Sequence, residues 1–401
     1  MAGTGYDALL SGEGLPVELG RVEDELESLW APVAQRAGGP ELDHPTITRV
    51  SLANLVVACL DDTFDRTLSQ LDQLATRYPC RVILLRQAGA DSPRGVSAEI
   101  TARCHLPAPG MPQVCAEQII LSAGTNGLDL FPGAVRPLLE GGLPVVLWWC
   151  SDPRPPAALA LLETLAPEAT RIVIDLPDPE ADREALGTAL ALERHPYTRD
   201  LAWFGITRWR EFVAQFFDPP GMSETLKEIR SVSVRVIAPA AVVRPPRVGA
   251  WLIAWLAGQL GWKPRGRPAF TGDCLTASFE SESARIDIRM EVAVDSRTRL
   301  CRISAIELHS DPTSDANARV TGPDQRSEAT SPCVFKVSRS AEAADEVLLE
   351  ACRGESRALP RTLRAPEFDT AHRLAAALES AREDPPYRDA LPIALWLLAP
   401  T

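Results

Sequence analysis

Apolar positions run almost without a break through RVSLANLVVACL (49–60), CRVILLR (80–86), LPVVLWWC (143–150) and RIVIDL (171–176). A strand with one wetted face alternates apolar and polar residues. Short continuous runs belong instead to strands covered on both faces. Between the first two runs, DDTFDRTLSQLDQLATRY (61–78) sets Phe64, Leu68, Leu71 and Ala75 on one helical stripe. Strand, helix and strand of this length predict a parallel pair with a right-handed crossover. VSAEITARCHL (96–106) alternates, as an edge or antiparallel strand would, and VCAEQIILS (114–122) fits a strand or a short helix. DLFPGAVRPLLE is helical in part, and PAALALLETLAP reads as a helix before the fourth run. The pattern predicts a layered α/β domain with a mostly parallel sheet over residues 45–178. Residues 1–44 read as an N-terminal extension. Leu15, Leu19, Val22, Leu26 and Leu29 fall at helical spacing there, and AGGPELDHP follows as a linker.

The pattern changes over 179–401. ADREALGTALALERH is helical and SVSVRVIAP (231–239) is strand-like. RVGAWLIAWLAGQLGW (247–262) reads as an apolar helix with Gly261 just past its end. RIDIRMEVAV (285–294) and LCRISAIEL (300–308) are strands that DSRT would join as a hairpin. SDPTSDANARVTGPDQRSEATS reads as an exposed loop, CVFKVS as a strand and AHRLAAALESARE as an amphipathic helix. An α+β domain with an antiparallel sheet is expected, and no internal repeat is visible.

Composition narrows the functional classes. Lysine plus arginine number 41 against 54 acids in 401 residues, so the net charge is −13. An acidic chain with no basic stripe is a poor binder of nucleic acid or anionic membranes. MAGTGYDALLSGEGL has neither the basic nor the apolar region of a signal peptide, and ALPIALWLLAP is too short to span a membrane. A cytoplasmic location is expected. The nine cysteines form no CxxC pair, which points to reduced thiols rather than a disulfide framework. Cys59, Cys80 and Cys150 lie in or beside apolar runs and are expected to be buried.

Ligands of α/β sheets sit at the carboxyl ends of parallel strands. Here the first turn is Asp-Asp-Thr-Phe, with no glycine and two carboxylates that would repel phosphate. No GxGxxG follows a strand, GTNG at 124–127 is too loose a match, and GxxxxGK[ST], GxSxG and HExxH are missing. Asp61, Asp62, Asp152 and Asp175 mark strand ends. They could hold a divalent cation for an α/β enzyme, although capping of free backbone N–H groups is the commoner use. Cys104, His105 and Cys115 are zinc-capable residue types at a spacing that matches no strong pattern. No catalytic, cofactor or metal site is assigned.

One segment concentrates aromatic residues that are only 6% of the chain. DLAWFGITRWREFVAQFFD (200–218) holds Trp203, Phe204, Trp209, Phe212, Phe216 and Phe217. Trp209, Phe212, Val213 and Phe216 share one helical face, with Thr207 as candidate N-cap, and packing accounts for them. Trp203, Phe204 and Phe217 fall outside that face, with Asp200, Arg208 and Arg210 beside the indoles. Tryptophan and arginine are the types enriched at interface hot spots. Trp148 and Trp149 are strand neighbours, so one indole faces each side of the sheet.

LPVVLWWCSDP, RIVIDL and DLAWFGITRWREFVAQFFD together resemble the OpcA family, the bacterial glucose-6-phosphate dehydrogenase assembly proteins. VELGRVEDELESLW, RYPCRVILL, VCAEQIILSAG and AWLIAWLAGQLGW are similar too, so the resemblance runs in order over about 15–262. Cys150, Leu176 and Phe204-Gly205 depart from the family pattern. The resemblance implies a protein that is not itself an enzyme. It implies binding to glucose-6-phosphate dehydrogenase and promotion of the active oligomer. Asp200, Trp203, Arg208, Trp209 and Arg210, with Trp148 and Trp149, become the candidates that shape or support the partner surface.

Overall fold

Asn54–Cys59 (β3), Arg81–Gln87 (β4), Val145–Trp149 (β7) and Arg171–Ile174 (β8) form the parallel heart of the first sheet. All six residues of β3 are buried, as its unbroken apolar pattern requires. The computed structural model describes residues 14–399 except 38–46, 61–62, 90–91, 93, 106–112, 177–182, 191–196, 283, 312–330, 341, 344 and 381–382. All of the expected linker 37–45 but Ala37, most of the expected loop 310–331, and Asp61 and Asp62 therefore lie outside the described residues.

The chain forms two compact units: 1–177 with 187–201 and 370–380, and 178–186 with 202–369 and 381–401. In the first unit the sheet order is β1-β5-β6-β4-β3-β7-β8-β9, with β2 on β6. The remaining strands are Leu15–Val17 (β1), Ile47–Arg49 (β2), Val96–His105 (β5), Gln113–Ala123 (β6) and Thr198–Asp200 (β9). The ambiguous 114–122 segment is a strand, parallel to β4 and antiparallel to β5. The 49–60 run divides, because 47–49 pairs with β6 while 54–59 pairs between β4 and β7.

The N-terminal segment corrects the pattern reading. Residues 15–17 form a strand on the edge of β5, and the helix begins only at Val22 and runs to Ala37. An exposed strand edge offers backbone partners that helical spacing cannot reveal. Val22, Leu26 and Trp30 are the buried positions of that helix. Trp30 Nε1 donates to Glu117 Oε1 at 2.7 Å, and Arg81 reaches Glu23. Glu117 is fully buried on β6 and also pairs with Arg49 (2.9 Å) and Arg81 (3.3 Å). Three elements thus meet on one carboxylate.

Helix Thr370–Glu379 belongs to this unit and packs on helix Phe64–Ala75, where Gln70 Nε2 donates to Thr370 Oγ1 at 3.2 Å. Arg171 at the start of β8 donates to the Ala377 and Leu378 carbonyls that end the returning helix.

Cys59, Cys80 and Cys150 are buried thiols, as expected. Burial pushes the Cys80 thiol up to about 12. Cys104 and Cys115 instead form a disulfide, which corrects the expectation of reduced thiols throughout and removes both from any zinc site. The two face each other across β5 and β6, a juxtaposition set by strand register rather than by sequence spacing. Closing a loop of this size is worth about 3 kcal/mol in the chain-entropy account. Thiol titration of the denatured, unreduced protein should give seven thiols, and nine after reduction; nine before reduction would contradict the pairing.

The second unit is built on Ile229–Ala238 (β10), Lys263–Thr271 (β11), Cys274–Glu280 (β12), Arg285–Val294 (β13), Arg302–Ser310 (β14), Cys333–Arg339 (β15) and Glu346–Arg353 (β16). Ser356–Arg357 (β17) and Arg361–Arg364 (β18) add to β16. The order β11-β12-β13-β10-β14-β15-β16-β17 overturns the expected hairpin of 285–294 with 300–308. β10 lies between them, parallel to β13 and antiparallel to β14. Its alternating burial suits a central strand with one covered face, and local spacing carries no sign of the insertion. The sheet is otherwise antiparallel, so the chain is a mixed α/β protein with one mostly parallel and one mostly antiparallel sheet.

Helix Arg247–Gln259 packs on β10 and β14 with nearly every residue from 247 to 257 buried. Gly249 permits the approach: a Cβ there would lie 2.1 Å from Met290 Sδ and 3.0 Å from Val236 Cγ2. Gly261 ends the helix as its position predicts. Its φ is +65°, and Trp262 N–H bonds back to Ala257 O at 2.9 Å, a Schellman closure.

Candidate functional site

The DLAW…WRE segment begins in strand β9 and continues as two short helices, Leu201–Gly205 and Thr207–Ala214. Asp200 closes β9 and is fully buried. Trp209, Phe212 and Val213 form the inward face of the second helix, as their spacing predicts. Thr207 is the first helical residue rather than the N-cap, which is Ile206. The Thr207 hydroxyl instead accepts from Arg210 Nη2 at 3.2 Å.

Trp203 has no exposed surface and occupies an aromatic cage. Its ring centroid lies 5.4 Å from Trp251 and 5.3 Å from Tyr387, both edge-on, and Trp251 stacks on Tyr387 at 4.9 Å. Its indole Nε1 donates to Asp384 Oδ2 at 2.8 Å. Asp384 also caps helix Pro385–Leu397, accepting from Tyr387 N–H at 3.1 Å. The guanidinium of Arg210 covers the outer side of this arrangement, 4.0 Å from the Trp203 ring centroid. Burial lowers the pKa of Arg210, while the Asp384 and Glu211 carboxylates push it back up. Arg208 lies over Phe368 at 5.2 Å, and Arg339 lies 5.9 Å from the ring of Trp209.

Of the seven candidates, Asp200, Trp203, Trp209, Trp148 and Trp149 are buried. Any part these five play in recognition goes through support. Both indoles of β7 are fully covered, and Trp149 Nε1 donates to Ser151 O at 2.6 Å. Arg208 and Arg210 are half-buried and, with exposed Glu211, form the outer face of helix Thr207–Ala214. The structure brings Trp203, Arg208, Trp209 and Arg210 into one stretch of the second unit. Trp148 and Trp149 lie in the first. Spacing alone did not reveal Trp251, Asp384 and Tyr387 as the holders of Trp203. The helix-start signature Asp-Pro-Pro of 384–386 was the legible sign of Asp384.

Of the strand-end carboxylates, Asp61 and Asp62 lie outside the described residues, which leaves Asp152 and Asp175 to describe. Asp152 is engaged by the Arg154 guanidinium at 2.6 Å, and that hydrogen bonding holds its carboxyl below the usual range. Among the described residues no three His, Cys, Asp or Glu side chains are grouped to hold a metal ion, and no helix is long and apolar enough to cross a membrane.

Comparison with known proteins gives the family. The profile of the glucose-6-phosphate dehydrogenase subunit N-terminal domain of OpcA proteins matches residues 71–188, and that of the C-terminal domain matches 196–391. A protein of Nostoc punctiforme provisionally described as OxPP cycle protein OpcA is 30% identical over 206 residues, covering 50% of this chain and 42% of the relative. Its counterpart in a Synechocystis species is 28% identical over 198 residues, covering 48% and 39%. The chain thus spans about two fifths of the length of these relatives. Among solved structures, a dehydrogenase (MviM) of Clostridium difficile is 8% identical with TM-score 0.39, covering 80% of this chain and 86% of that one. Apo scyllo-inositol dehydrogenase of Lactobacillus casei is 8% identical with TM-score 0.37, covering 87% and 89%. Neither likeness carries an activity over. The two domain profiles, matched in series over most of the sequence, establish that the chain belongs to the OpcA family.

Proposed function

We propose that this protein is a non-catalytic assembly factor for glucose-6-phosphate dehydrogenase in the cytoplasm. It binds the dehydrogenase, promotes its active oligomer and so activates it allosterically at the entry of the oxidative pentose phosphate pathway. The observation that carries the reading is the serial match of both OpcA domains. An activator must bind the active form of its partner more tightly than the inactive form. The outer face of helix Thr207–Ala214 suits such contact, because Arg208 and Arg210 are held in place by Phe368 and Trp203. Arginines held on aromatic rings lose little freedom on binding. The net charge of −13 favours a basic patch on the partner.

Mixing the purified chain with its cognate dehydrogenase should shift the dehydrogenase to an earlier elution volume and raise its activity. No change in either sinks the proposal. Arg208→Ala should weaken the complex by about 1–2 kcal/mol, roughly five- to thirtyfold in Kd, while leaving thermal stability nearly unchanged. An unaltered Kd would remove this helix face from the interface without touching the assembly role.

A further inference from the structure

β5 and β6 pair in register from Val96 with Ala123 to His105 with Val114. Cys104 and Cys115 face each other one step before the end of that ladder, with Cα atoms 4.1 Å apart. Directly opposed residues of an antiparallel pair share one face of the sheet. The pairs from 96 to 103 fix the register independently of the disulfide. The two sulfurs therefore stay neighbours when the bond between them is cut, and the bond can close again. Cys104 keeps some exposed surface, whereas Cys115 keeps none.

The position of the bond decides what it holds. β2 spans only Ile47–Arg49, and its sheet partners are Gln113, Val114 and Cys115. Val50 N–H extends the join by donating to the Cys115 carbonyl at 3.0 Å. The disulfide thus ties to β5 the stretch of β6 on which β2 is seated. Arg49 ends β2 and reaches Glu117 at 2.9 Å, and Glu117 accepts from Trp30 of helix Val22–Ala37. Register places Cys104, Cys115 and Glu117 on the same face of the sheet. A continuous chain of contacts therefore runs from the sulfurs through β2 to the N-terminal helix.

We infer that Cys104–Cys115 is a reversible redox latch that sets how firmly β2 and helix Val22–Ala37 are held. The inference rests on the proposed cytoplasmic location, because disulfides persist in oxidising compartments and those of cytoplasmic proteins are mostly transient. A dithiol, or two monothiols in turn, supplies the two electrons. The first thiolate attacks the Cys104 sulfur, the bond to Cys115 breaks, and the departing Cys115 thiolate takes up a proton. The second thiolate then attacks the reductant's own sulfur in the mixed disulfide and releases Cys104, which is protonated in turn. Two protein thiols and one reductant disulfide result. In the reduced form backbone pairing alone holds 113–115 to β5, and β2 frays with that end of the ladder.

Equilibration of the full chain in glutathione buffers of graded reduced-to-oxidised ratio tests the latch, with thiols trapped by alkylation and counted by mass. The count should rise from seven to nine in one two-thiol step and fall back on reoxidation. Amide hydrogen exchange in 22–30 and 47–50 should be about tenfold or more faster in the reduced form, while β3 exchanges alike in both. Cys104→Ser, at the less buried cysteine, should exchange like reduced wild type even in oxidising buffer. A pair that stays oxidised at every ratio would be a structural staple and would overturn the inference. So would equal exchange of the two wild-type forms, a comparison that needs no variant to fold. Failure of the location is told apart by cell fractionation, which reads where the chain resides and not whether the pair reduces.

Discussion

Replacing Trp203 with alanine is expected to cost the second unit about 3–5 kcal/mol of stability. The indole is fully buried among Trp251, Tyr387 and the Arg210 guanidinium, so the deletion leaves a large cavity and strands the Asp384 acceptor. A unit of this size should lose roughly 2–4 °C in melting temperature per kcal/mol. Trp203→Phe keeps most of the ring contacts and loses the N–H donor, so about 1–2 kcal/mol is expected. Asp384→Ala removes the indole acceptor and the cap of helix Pro385–Leu397 together and should fall between the two. Urea unfolding followed by circular dichroism gives the order. A Trp203→Ala midpoint equal to wild type would mean that the cage does not hold the unit together. Because the chain has two units, the transitions must be resolved before free energies are assigned.

The second large effect lies at Glu117. Its carboxylate is fully buried and serves Trp30, Arg49 and Arg81. Breaking a buried ion pair by removing one partner typically costs about 3–5 kcal/mol, because the other charge stays out of water. Arg81 is almost fully buried and would be left with Glu23 alone. Glu117→Ala should therefore destabilise the first unit by that amount and loosen helix Val22–Ala37, which loses the Trp30–Glu117 bond and keeps only Glu23 on Arg81 as a polar anchor among the described contacts. Limited proteolysis should cut the variant within 14–37 while the wild type resists. Equal resistance would show that the apolar contacts of Val22, Leu26 and Trp30 hold the helix unaided.

How much of this was legible before the structure differs between the two units. The four parallel strands were readable because burial on both faces leaves an unbroken apolar run, and the crossover rule then fixes direction. The helix Arg247–Gln259 and its glycine stop were equally plain. Strand order in the second sheet was not. Nothing in 285–310 tells β13 and β14 that β10, some fifty residues earlier in the chain, will come between them. The same reason hid the Cys104–Cys115 bond, since cross-strand register is a property of pairing and not of spacing. At the candidate site, helical periodicity separated Trp209 and Phe212 from the outer face. It could not show that Trp203 is caged, because its cage is built from residues 251, 384 and 387.

The placement of helix Thr370–Glu379 against helix Phe64–Ala75 has a consequence for synthesis. The Gln70–Thr370 contact joins residues 300 positions apart. At about 5–20 residues per second, the ribosome needs roughly 15–60 s between making the first helix and delivering the second. Throughout that interval the earlier helix lacks the neighbour it will have in the finished protein. The first unit to emerge is thus among the last to close, and a nascent chain halted anywhere before residue 370 should display that helix face to chaperones.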